Sequence, residues 1–109
     1  MQIWYPVADL DAARGFYRER LGFEELYVDD ADRWARLKRD DVEIGISEGP
    51  EASGEEAVAA VVVDDVKREA ERLRAEGVEV GVVLEIPGTV RLLDVYDPDG
   101  NRLQLTQDM

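Results

Sequence analysis

Cysteine and histidine are both missing from this chain of 109 residues. Without cysteine there is no disulfide, no thiol nucleophile and no zinc–thiolate site. Without histidine there is no imidazole base for a catalytic dyad or triad, and the commonest transition-metal ligand is gone. Positive charge is also scarce. Lys and Arg together number 13 against 26 Asp and Glu, a formal charge of −13, and only Lys38 and Lys67 are lysines. The deficit is even, with −6 over residues 1–54 and −7 over residues 55–109. An acidic body repels phosphates, which disfavours nucleic acid and anionic membrane surfaces as partners. No apolar run approaches the ~20 residues of a membrane span. The N-terminus carries no signal-peptide pattern, so a cytoplasmic protein is expected. What chemistry remains must use carboxylates, Arg, Lys, Tyr, Ser or Thr. Apolar residues make up 45% of the chain, enough for the core of one domain.

The residues that are present repeat a pattern. Gln2 to Val7 reads as a strand with Ile3, Tyr5 and Val7 on one face and Gln2, Trp4 and Pro6 on the other. Asp9 is a helix N-cap, followed by Leu10, Ala13, Phe16 or Tyr17, and Leu21 at helical spacing, with Gly22 as the stop. Strands follow over Phe23 to Val28, Arg33 to Lys38 and Val42 to Ser47. Residues 48–56 are rich in Gly, Pro and Ser and read as a linker. The order then restarts: a strand over Ala57 to Val63, a cap at Asp64-Asp65, and a helix with Val66, Ala70 and Leu73 on its buried face. On the solvent side of that helix, Lys67 with Glu71 and Arg72 with Glu76 have the spacing of ion pairs. Strands are expected over Val78 to Leu84, Val90 to Tyr96 and Arg102 to Gln107. The last two are joined by Asp97-Pro98-Asp99-Gly100, whose Pro and Gly specify a tight turn.

Two βαβββ units therefore account for the chain: module 1 over residues 1–47, the linker over 48–56 and module 2 over 57–109. Val7-Ala8-Asp9-Leu10 matches Val63-Asp64-Asp65-Val66, and Leu21-Gly22-Phe23 matches Glu76-Gly77-Val78. The expected fold class is α+β. Each module is a curved mixed sheet with a helix on its outer face, leaving the other face to be covered or to form an open cup.

The segments Val7 to Tyr17, Leu21-Gly22-Phe23 and above all Asp97-Pro98-Asp99-Gly100-Asn101-Arg102-Leu103-Gln104-Leu105 resemble the vicinal-oxygen-chelate superfamily. That superfamily includes glyoxalase I, extradiol dioxygenases and bleomycin resistance proteins. The resemblance implies the paired-module fold and, in the family's enzymes, a divalent metal held by the first and last strands of each module. Those positions fall here on Gln2, Gly45, Val58 and Gln104. Two amides, a glycine and a valine offer a metal neither imidazole nor carboxylate. The departure points to the members that bind a drug and do no chemistry, with no metal and no cofactor.

The expected ligand-binding residues are Gln2, Trp4, Trp34, Glu43, Arg102 and Gln104. Trp4 and Trp34 would stack on a planar ligand, or pack the cup and an interface. Gln2 and Gln104 would hydrogen-bond a polar group, or each other. Glu43 would add negative potential or sit on the rim. Arg36, Arg91 and Arg102 are the candidates for an anion. The −13 body favours a cationic or amphipathic aromatic compound, bound by a homodimer. Two further readings stand beside this one: a lyase, isomerase or dioxygenase with substituted ligands, and a scaffold or designed protein with no ligand.

Overall fold

Alternation in the strands and 3.6-residue spacing in the helices put one apolar face on every element, and those faces meet in a single core. A computed structural model describes residues 3–49 and 58–109. Module 1 contains β1 (Ile3–Val7), α1 (Leu10–Glu19), β2 (Glu24–Asp29), β3 (Trp34–Arg39) and β4 (Val42–Glu48). Module 2 contains β5 (Ala59–Val62), α2 (Val66–Ala75), β6 (Leu84–Ile86), β7 (Val90–Tyr96) and β8 (Arg102–Asp108). The sheets have the same topology, β1-β4-β3-β2 and β5-β8-β7-β6, with one parallel pair and two antiparallel pairs each. The fold is α+β, built from two βαβββ modules. Most of the linker over 48–56 lies outside the described residues.

The helix ends follow the expected chemistry. Asp9 accepts from the Ala12 amide and Asp65 from the Arg68 amide, so each carboxylate satisfies a free amide of the first turn. Gly22 and Gly77 close the helices in the left-handed region, at φ +70° and +81°. Leu10, Ala13, Tyr17, Val66, Ala70 and Leu73 are the buried helical positions. They pack on Tyr5, Val7, Ala35, Leu37, Ile44 and Ile46 in the first sheet and Ala59, Val61, Leu93, Val95, Leu103 and Leu105 in the second. Of the two ion pairs expected on α2, Arg72 reaches Glu76 at 2.8 Å. No Lys67–Glu71 pair forms among the described residues.

One strand differs from expectation. Val78 to Leu84 is not a continuous strand. Tyr96 donates to the Glu79 carbonyl and Gly81 to the Asp94 carbonyl, around a single bridge from Val80 to Val95. Pairing resumes only at Leu84 with Leu92. Four steps along this segment therefore match three along β7, which requires one extra residue. The equivalent strand of module 1 has the same irregularity, because Glu25 pairs with Leu37 but Tyr27 pairs with Arg36. By the repeat, Leu26 corresponds to Gly81 and Tyr27 to Val82. The insertion is thus a property of the module.

The modules are joined by a buried polar knot at the β7–β8 turn. Asp97 is 4% exposed, the one buried charged residue among those described. Its Oδ1 accepts from the amides of Asp99 and Asn101, both at 2.9 Å. Its Oδ2 accepts from the Tyr17 hydroxyl at 2.7 Å and from Asn101 Nδ2 at 2.8 Å. Asn101 also donates to the Pro6 carbonyl, and Asp99 accepts from the Ala8 amide. Tyr5 adds a second link, donating to the Arg102 carbonyl and accepting from the Ala59 amide. Burial, with the Asp97 charge next in effect, raises the Tyr17 hydroxyl well above its ordinary value, so it remains a neutral donor.

Candidate functional site

The helices cover one face of each sheet. The strand register defines what lies on the other. On sheet 1, Trp4, Gly45, Arg36 and Tyr27 form one row across β1, β4, β3 and β2. The row above is Pro6, Ser47, Trp34 and Asp29, and Glu43 and Lys38 lie in the row below. Trp4 and Trp34 meet edge to face with centroids 5.8 Å apart, and Tyr27 tilts against Trp34 at 5.1 Å. These are ordinary aromatic-pair separations. A Cβ at Gly45 would overlap the Trp4 indole. The missing side chain is therefore what allows Trp4 to lie flat on β4. Arg36 places Nη2 on the Glu43 carboxylate, and its buried Nε has no acceptor among the described residues.

On sheet 2 the equivalent row is Ala60, Gln104 and Asp94. Ala60 holds the place of Trp4, Gln104 that of Gly45 and Asp94 that of Arg36. The relation of sizes is inverted: a large ring covers a glycine in module 1, and an alanine leaves a glutamine open in module 2. Gln104 Nε2 donates to Asp94 Oδ1 at 3.3 Å, and Arg102 Nη1 approaches Asp94 Oδ2 at 3.4 Å. The next row is Val62, Thr106, Leu92 and Leu84, with Val62 61% exposed.

The expected site residues therefore fall into two groups. Trp4, Trp34 and Glu43 share the open face of sheet 1. Arg102 and Gln104 share that of sheet 2 and converge on Asp94. Gln2 lies outside the described residues. Arg91 pairs with Glu85 at 2.7 Å, which engages it as a neighbour's partner. One site residue, Tyr27, escapes a reading of the sequence by alternation, and the cross-strand partner of another, Asp94, does too. Tyr27 belongs to the same face as Phe23 in an unbroken strand, and the extra residue at Leu26 turns it to the open side. Asp94 faces outward by alternation, with Leu93 and Val95 in the core, but its place opposite Gln104 depends on the register of β7 against β8.

The two βαβββ modules each have a sheet face that no helix among the described residues covers. A family model for the Glyoxalase/Bleomycin resistance protein/Dioxygenase superfamily matches residues 2–105, and the chain belongs to that superfamily. Among solved structures, an antibiotic-binding protein, TnmS3, from a Streptomyces species is 24% identical, with 99% of this chain and 93% of that one covered and a TM-score of 0.77. The fosfomycin resistance protein FosX from Listeria monocytogenes is 23% identical, with 100% and 92% covered and a TM-score of 0.79. A bleomycin resistance determinant encoded on the transposon Tn5 is 22% identical, with 99% and 96% covered and a TM-score of 0.75. At these identities the likeness is one of fold. No curated protein matches the chain.

The family's enzymes raise the question of a metal. Gly45 has no side chain, and the indole of Trp4 fills the space one would need. Val58 is apolar, and the Gln104 amide already donates to Asp94. No group of three or more carboxylates among the described residues is arranged to hold a metal ion. Of the four positions, the described Gly45, Val58 and Gln104 offer a divalent cation neither carboxylate nor imidazole. Among the described residues, no helix is long and apolar enough to cross a membrane.

Proposed function

We propose that this chain binds an organic small molecule on its uncovered sheet faces and performs no chemistry on it, without metal or cofactor. The ligand is a cationic or amphipathic aromatic compound. The carrying observation is the aromatic cluster of Trp4, Trp34 and Tyr27 on a face that no helix covers, with Asp29 opposite Trp34 and Glu43 held by Arg36. Indole faces attract cations and flat rings, and nearby carboxylates with a body charge of −13 steer cations toward them. The names of the Streptomyces and Tn5 relatives favour a drug or natural product as ligand. The protein acts in the cytoplasm as a homodimer. Support for the dimer comes from Val82, Leu84 and Ile86, which leave apolar surface exposed at the outer end of sheet 2.

An enzyme with substituted ligands is the second reading. Asp94 favours it, as a carboxylate beside Gln104 on the face where the family's metal enzymes place theirs. Titration of the tryptophan fluorescence with a planar acridinium dye tests the binding reading. Saturable quenching is expected, with Trp4→Ala weakening affinity about tenfold, or about 1.4 kcal/mol. Absence of saturation up to millimolar dye, or equal affinity in Trp4→Ala, would contradict it.

A further inference from the structure

We infer that sheet 2 carries a distinct subsite for a protonated amine, with Asp94 as its counter-ion and Val62 and Leu92 as its apolar floor. The inference rests on the small-molecule-binding reading and assigns the part of the surface that recognises the ligand's charge.

Asp94 is half-buried on a sheet face that no helix covers, and both of its side-chain contacts among the described residues are long. Gln104 donates at 3.3 Å and Arg102 approaches at 3.4 Å. A charge-assisted N–H bond to a carboxylate ordinarily measures about 2.7–2.9 Å. The carboxylate is thus occupied by two partners at less than full strength. Arg102 is 43% exposed along its side chain and can swing into water at little cost. An incoming ammonium would take its place on Oδ2, while the Gln104 amide continues to hold Oδ1. Ala60 opposite Gln104 keeps the approach open, where Trp4 closes the equivalent place in module 1. The adjacent row places Leu92 next to Asp94 on β7, and Val62 further across the sheet on β5, with Thr106 between them. Charge and apolar surface therefore stand side by side, which suits a compound with an ammonium at one end and a ring or chain at the other.

The test uses three naphthalene probes of one shape: naphthylmethylammonium, its neutral alcohol and the naphthylacetate anion. Each is titrated into the full chain by calorimetry at physiological salt, where long-range steering is screened. The wild type should prefer the ammonium over the alcohol by about tenfold, as one local ion pair would give. Asp94→Asn should erase that preference while leaving alcohol affinity within about twofold, because the amide is isosteric and the body charge hardly changes. Asp94→Glu should retain a preference. The circular dichroism of each variant checks the fold. A preference that survives Asp94→Asn, one lost instead in Glu43→Gln, or no preference in the wild type overturns the subsite and leaves the binding reading standing. If no probe saturates, both fall.

Discussion

Replacing Tyr17 by Phe isolates the polar knot between the modules. The ring stays, with its edge contacts to Phe16 at 5.3 Å and Phe23 at 5.6 Å, so apolar burial is nearly unchanged. Only the hydroxyl that donates to Asp97 Oδ2 at 2.7 Å is removed. Asp97 then remains buried with three of its four donors, Asn101 Nδ2 alone serving Oδ2. A buried hydrogen bond to a charged acceptor is worth about 1.5–3 kcal/mol. In a domain of this size that lowers the melting temperature by about 6–12 °C. Asp97→Asn should cost more, because its amide N–H₂ must face donors. The double variant should be less destabilised than the sum of the two, since both act on one interaction. Thermal and urea unfolding of the four proteins measures this cycle. Additive effects, or a Tyr17→Phe loss below about 0.5 kcal/mol, would refute the view that this bond holds the modules together.

The same tyrosine predicts an alkaline limit. Its folded pKa lies well above the 10.0 of the free group, so its contribution is complete below pH 10 and is lost as pH rises toward the folded value. Wild-type stability should therefore fall above pH 10 more steeply than that of Tyr17→Phe, with Tyr5, also raised by burial, contributing to the slope in both. Gly45→Ala should drive the Trp4 indole off β4, costing about 1–3 kcal/mol and red-shifting the emission, whereas an unchanged spectrum would mean that the close contact is not maintained. Light scattering should give twice the chain mass of 12.3 kDa, and a 12.3 kDa particle at tens of micromolar would count against the dimer.

Much of this architecture is readable from residue patterns. Capping aspartates, terminal glycines and alternating strands are local signals, and the two copies of the module reinforce each other. What escaped was the consequence of a single extra residue. Nothing in Glu25-Leu26-Tyr27 marks a bulge, and Gly81 within Val80-Gly81-Val82 is only a weak sign of one, because its position depends on which partner residues cross the strand. That choice moves Tyr27 to the open face and breaks the strand expected over Val78 to Leu84. The role of Asp97 was also only half visible. Its turn is encoded locally by Pro98 and Gly100, but its bond to Tyr17 joins residues 80 positions apart. For the site, alternation placed Trp4, Trp34 and Gln104 on their faces. Asp94 required the register of β7 against β8.

The central claim is binding without a metal, and one measurement addresses it directly. The affinity for a planar aromatic cation should be determined after exhaustive dialysis against a chelator, then again with millimolar Mn²⁺, Ni²⁺ or Zn²⁺. The donor chemistry of Gly45, Val58 and Gln104 predicts the same affinity in every case and no metal retained by the protein. Binding that appears only when a divalent metal is restored, with about one ion held per chain, would contradict the account and return the protein to the metalloenzymes of its superfamily.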